Sequence, residues 1–248
     1  MNWIALIFAV VAAAAAGGFW WALTRSSREL GLMKATATSN ARDVAAMAAG
    51  TVVEVKGVLR TAAPLKATFS GRDCVYFRSL TEREVERTRT DSDGKRETER
   101  EFETESDVVQ FAPATVEDSS GSVALDFAKA KVEGEQVHRR QEYPGVGTSL
   151  IAQLTGAGTL SHRFTEWIVA AGVPVYVLGT VTATKGIGAD PAKRNPFVVS
   201  IKSEEEREKS LGHVRIWQIA GIVICAVIAL VLLYVTFTSG PPEMATSP

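Results

Sequence analysis

The chain has 248 residues, a formal net charge of -1 and a sequence pI near 6.3. That balance excludes the broad basic field that non-specific nucleic-acid binding requires. Two cysteines and three histidines at unrelated spacings supply neither a disulfide framework nor a Cys/His zinc site, so no metal and no cofactor is expected.

The first predicted element is an apolar run from Trp3 to Leu23, with Trp3 near one edge and Trp20 and Trp21 near the other. Its length suits a hydrocarbon core of about 30 Å, and the indoles sit where headgroups would lie. The alternative is a cleaved signal, since Ala14-Ala15-Ala16 precedes Gly17. The stretch before them holds no Lys or Arg, however, and the apolar run continues through FWWAL. Residues 24–50 read as a linker with a short helix from Asn40 to Ala49, capped by Ser39 and closed by Gly50.

Residues 51–203 read as a β-rich domain. TVVEVKGVL (Thr51 to Leu59) alternates and is β-branched, and DCVYFRSL follows Gly71. The charged segment 81–107 carries glutamates at period two on both sides of Ser92-Asp93-Gly94, which predicts a long hairpin arm. A three-residue loop there sets Arg89 opposite Glu97, Arg87 opposite Glu99, Glu86 opposite Arg100 and Arg83 opposite Glu103. A slip of one residue would place Arg89 against Arg96 and Glu86 against Glu99, and like charges opposed in this way destabilise a pair. The arm reads as a solvated, charged edge that discourages sheet aggregation and is able to dock a partner.

Beyond it, Val108 to Glu117 and Ser122 to Phe127 predict a hairpin turned at Asp118-Ser119-Ser120-Gly121, with a further strand at Lys131 to Val137. The Gly-rich stretch Tyr143 to Gly158 lacks the Gly-Lys-Ser/Thr ending of a phosphate loop and reads as a loop with a short helix at Ser149 to Leu154. Val173 to Val181 is the most apolar strand and predicts a central position, with Gly179 marking a close approach. Phe197 to Lys202 closes the domain. A charged juxtamembrane segment, 204–215, leads into a second apolar run, Ile216 to Phe237, and a tail at 238–248.

The fold class expected is thus a membrane protein with two transmembrane helices flanking a mostly-β soluble domain, β-rich α+β with an OB-like barrel as one form. Arg25, Arg28, Lys34 and Arg42 follow the first run, and Arg207, Lys209 and Arg215 precede the second. The positive-inside rule therefore puts the domain in the cytoplasm and both termini on the opposite side. Gly221, Cys225 and Ala229 share a spacing that lets helices approach closely.

The order VEVKGVL, CVYFR, FAPATVEDSSGSVALDF and TEWIVAAGVPVYVLGTV between two apolar runs resembles the GIDE domain, also called the beside-a-membrane domain. The resemblance covers roughly residues 40–238 and implies kinship with membrane-anchored ubiquitin ligases. It makes Cys74, Tyr76, Arg78, Glu166, Trp167 and Tyr176 the motif residues to follow. The mitochondrial ligase of this kind holds the domain in the intermembrane space, which would reverse the sidedness read from charge. The ligase relatives carry a RING after the second span, whereas the eleven residues after Phe237 hold no Cys or His, so a RING-less member is expected.

No nucleophile with a base and no paired carboxylates stand out. Cys74 lies in an apolar strand and reads as a structural thiol, and Glu166 reads as a strand-edge carboxylate. The expected function is a non-enzymatic membrane-anchored interaction module whose partners are the lipid bilayer and another protein or a second copy, with no nucleic acid. Two alternatives stand beside it. One is a component of ubiquitin-like transfer or membrane stress signalling with catalysis supplied by a partner, and the other is an OB-like binder of nucleic acid or oligosaccharide.

Overall fold

A computed structural model describes residues 3–90, 95–143 and 159–238. The chain divides into two compact units, Met1–Thr36 with Glu204–Pro248, and Ala37–Ser203.

The first unit holds two long helices, α1 (Trp3–Ala35) and α3 (Glu204–Thr238). Each continues past its apolar run: α1 passes Gly31 instead of giving way to a linker at residue 24, and α3 takes in the charged segment 204–215. Windows Ile7–Thr24 and Ile216–Thr236 have mean hydropathies of 1.8 and 2.9, long and apolar enough to cross a membrane, and only 11% and 6% of them are buried. The core helix of a soluble protein would bury such a surface. Gly221 lies against the Phe19 ring, where an added Cβ would meet Cζ at 3.0 Å, so a side chain there would require the ring to shift by a few tenths of an ångström.

The second unit begins with α2 (Ala41–Val44), followed by β1 (Val52–Arg60), β2 (Leu65–Lys66), β3 (Asp73–Cys74), β4 (Tyr76–Thr90), β5 (Arg96–Phe111), β6 (Ala114–Asp118) and β7 (Gly121–Leu125). Next come β8 (Lys131–Glu133), β9 (Glu135–Glu142), β10 (Thr159–Val169), β11 (Pro174–Val181), β12 (Ile187–Gly188) and β13 (Val198–Ser200). The proposed helix at Ser149 to Leu154 lies outside the described residues.

Five strands close into a barrel. The order β1-β6-β7-β12-β11 returns to β1, with every pairing antiparallel except β7 to β12, and β13 and β8 extend it from β11. Alternation explains the interior: Val53, Val55 and Leu59 of β1 point inward with Val116, Val123, Val177 and Ile187. β11 is central, as its composition predicts. Gly179 is needed there because an added Cβ would stand 2.7 Å from Ile187 Cγ2 and 2.9 Å from Phe197 Cδ2.

The other layer is a four-stranded antiparallel sheet, β5-β4-β10-β9. The hairpin has the register the charges dictate, with Arg83 opposite Glu103, Glu86 opposite Arg100, Arg87 opposite Glu99 and Arg89 opposite Glu97. Two of the expected strands are divided. Val108 to Glu117 breaks at Ala112-Pro113, so β5 stays in the open sheet while β6 enters the barrel, and Pro113 cannot donate across that crossing. Lys131 to Val137 breaks at Gly134, where a Cβ would stand 2.4 Å from the Ile168 carbonyl oxygen.

The short helix is also smaller than expected. It covers Ala41–Val44 with Asn40 at the N-cap, and the Ser39 N–H goes instead to the Glu54 carbonyl at 2.8 Å. The cap comes from afar: Asp118 Oδ2 accepts from Ala41 N at 2.7 Å, and Ser120 Oγ accepts from Arg42 N at 3.2 Å. The Asp-Ser-Ser-Gly turn therefore both closes the β6–β7 hairpin and caps α2.

Candidate interaction surface

The four-stranded sheet has two unlike faces. Register places Phe77, Ser79, Glu166 and Ile168 on one of them, under the segment around β2 and β3. The other face carries Arg78, Asp107, Val109 and Trp167, with Phe111 at its end against Phe127. Val109 is 47% exposed and Phe111 42%, so this second face is open and partly apolar.

On the covered face Glu166 is fully buried, which corrects its reading as a strand-edge residue. Its Oε1 accepts from Phe69 N at 2.8 Å and Ser79 Oγ at 2.7 Å, and its Oε2 accepts from Ser70 N at 2.9 Å and Ser70 Oγ at 2.6 Å. Burial pushes its pKa up, but the donors at Ser70, Phe69 and Ser79 outweigh it, and the group lies below the usual carboxylate range. A buried carboxylate held by four neutral donors anchors the turn at residues 68–70 to the sheet. Each of its four contacts is a hydrogen bond accepted from the turn or from β4, which makes it a fastening.

Cys74 is buried in the same cluster, and its Sγ lies 3.6 Å from the Leu65 carbonyl. Burial first, then the charges of Glu166 and Asp73, push its thiol up to about 11, so it stays protonated and unreactive at neutral pH. Tyr76 is buried at the junction of sheet and barrel, stacked on Phe127 at 5.6 Å.

On the open face Arg78 makes a bidentate pair with Asp107, both contacts at 2.8 Å, and its guanidinium lies 5.7 Å from the centre of the Trp167 ring. A second cation repeats the motif: Arg163 lies 3.9 Å over the Phe102 ring and pairs with Glu82 at 2.8 Å. Of the six motif residues, Arg78 and Trp167 stand together on the open face, while Cys74, Tyr76 and Glu166 lie close by in covered positions. Tyr176 lies apart, in the barrel.

There its hydroxyl donates to Glu54 Oε2 at 3.0 Å, and Thr38 donates to Oε1 at 2.7 Å. Glu54 escapes a reading by alternation, because an outward position on β1 should be solvated, yet the segment around Thr38 lies over it. Among the described residues no group of three or more His, Cys, Asp or Glu is placed to hold a metal ion.

The GIDE family model, described as an E3 ubiquitin ligase, matches residues 83–233, more than half of the chain. The chain belongs to the GIDE family. The match runs from β4 to α3 and takes in Glu166, Trp167 and Tyr176, while Cys74, Tyr76 and Arg78 precede it. In this GIDE chain, therefore, the cross-strand pair of Arg78 and Trp167 joins a residue ahead of the matched span to one within it. No curated protein and no solved structure matches the chain.

Proposed function

We propose that this GIDE protein is a non-enzymatic, membrane-anchored interaction module that presents the open face of its four-stranded sheet to another protein. The observation that carries the reading is the partly apolar face of Val109, Phe111 and Trp167, framed by Arg78 and Asp107. Aromatic and arginine side chains beside apolar area are the composition of protein-binding centres. The two apolar, little-buried helices support bilayer spanning, and the Lys and Arg beside them support a cytoplasmic domain. In the ubiquitin-related form of this reading, the sheet holds a substrate or partner while another protein supplies the transfer chemistry.

The barrel favours a second reading far enough to state it. Its closed order, with the third and fifth barrel strands parallel, is that of an OB-like barrel, a fold that hosts nucleic-acid and oligosaccharide sites. The outward residues of β6 and β7 are Thr115, Glu117, Ser122 and Ala124, with neither aromatic nor cation, which argues for the protein-binding reading.

A photoreactive residue at Trp167, in intact membranes, tests the proposal against the same residue at Ser122 on the barrel. A protein adduct from 167 and none from 122 is expected. Lipid-only or equal labelling would overturn it.

A further inference from the structure

At the acidic edge of the open sheet, β5 has β4 on one side and no strand on the other among the described residues. Its unpaired backbone is a template for a further strand. From Arg96 to Thr104 the register is regular. It ends at a bulge, where Glu82 faces Thr104 but Thr81 faces Ser106, leaving Glu105 extra. Within that stretch Glu97, Glu99, Glu101 and Glu103 recur at period two and share a face. On the β4 side, Arg83 pairs with Glu103, and Arg87 reaches Glu103 and Glu101. Among the described ion pairs Glu99 has none, and Glu97 meets only Lys95, at 3.6 Å. By register Arg87 stands opposite Glu99 and Arg89 opposite Glu97, so the cations of β4 lie one strand in and the glutamates form the row along the open edge itself.

We infer that β5 takes up, as an added antiparallel strand, an extended segment of a partner protein that carries Lys or Arg at every second residue. Such a segment would set a basic row opposite the glutamates, which would then stand between two rows of cations, with Arg83 and Arg87 on the far side. Cross-strand pairs of opposite charge stabilise, and like charges directly opposite do not. A second copy of this chain is refused for that reason, because its own β5 would bring glutamate against glutamate. The same charges thus guard the edge against self-association and select its partner. This inference rests on the interaction-module reading and names its partner class.

The test uses the full chain in zwitterionic nanodiscs and a fluorescent Lys-Thr-Lys-Thr-Lys-Thr-Lys-Thr peptide, with empty nanodiscs as the blank. Two controls keep its composition: one groups the lysines at one end, and the other carries N-methyl groups on alternate backbone amides. The alternating peptide is expected to bind, and both controls to bind about tenfold or more weakly, because each loses either the charge ladder or the backbone ladder. The charge-reversing pair E97K/E99K lies at exposed positions and is expected to weaken binding by a similar factor. Slowed hydrogen exchange of β5 amides in the unmodified protein on peptide addition gives a readout that needs no variant. Equal binding of all three peptides, no binding of any, or unchanged exchange in β5 would overturn strand addition. A protein adduct at position 167 alongside any of those results would overturn it while leaving the interaction-module reading intact.

Discussion

Ser79 Oγ donates to Glu166 Oε1 at 2.7 Å across the two central strands of the open sheet, and both residues are buried. Three further hydrogen bonds to the same carboxylate, from Phe69 N, Ser70 N and Ser70 Oγ, tie a turn more than ninety residues away in sequence to the sheet's covered face. Glu166→Ala would leave two backbone N–H groups and two hydroxyls without their acceptor. A loss of about 3 kcal/mol is expected from denaturant unfolding of the detergent-solubilised chain, since buried orphan donors cost more than the net value of their bonds. Glu166→Gln keeps one acceptor oxygen and should lose less. Equal stability of Glu166→Ala and the unmodified protein would refute the fastening role.

Asp118 gives a pH dependence. Its Oδ1 accepts from Ser120 Oγ, Ser120 N and Gly121 N, and its Oδ2 caps α2 at Ala41. The Ser120 hydroxyl first, then the Ala41 N–H, hold its pKa down at about 2, against an ordinary 3.8. Because the folded value lies below the unfolded one, the charge stabilises the fold above about pH 5 and its contribution fades as the pH falls from there toward 2. Asp118→Asn should thus be less stable than the unmodified protein at pH 7, with the gap narrowing through that window. A gap independent of pH would contradict the assignment.

Gly134 separates β8 from β9 because the Ile168 carbonyl occupies the space a side chain would need, 2.4 Å from an added Cβ. Backbone cannot step aside as a flexible side chain does. Gly134→Ala should cost about 2 to 3 kcal/mol in thermal or denaturant unfolding. Gly172, with φ of +82° and open space around it, gives the comparison: Gly172→Ala should cost only about 1 kcal/mol, from the left-handed backbone alone. The reverse order would place the crowding elsewhere.

Arg78 and Asp107 are each roughly two-fifths exposed, so their bidentate pair is worth little to stability. A double-mutant cycle with Arg78→Ala and Asp107→Ala should give a coupling of about 0.5 to 1 kcal/mol. If the pair belongs to the binding face, either substitution should reduce crosslinking from position 167 far more than it reduces stability. Loss of both in proportion would make the pair structural.

How much of this was legible in the sequence differs from element to element. The hairpin register could be read because opposing charges penalise every neighbouring slip, and Val173 to Val181 because a strand buried on both faces has no polar alternation. The division at Pro113 could not, since β5 and β6 share one alternating pattern and only tertiary pairing sends them to different sheets. Glu166 and Glu54 sit in sequence where solvent-facing carboxylates belong. Their burial comes from residues far along the chain, Phe69 and Ser70 for one and Thr38 with Tyr176 for the other. Ser39 offered a local cap for α2, yet the acceptor used is Asp118, more than seventy residues away.

The claim on which the functional account stands is that the β-domain is held to a bilayer by α1 and α3. Alkaline carbonate extraction of membranes containing the intact chain tests it directly. The account predicts that the protein stays with the membrane pellet and is released only by detergent. Its appearance in the carbonate supernatant, without detergent, would contradict the account.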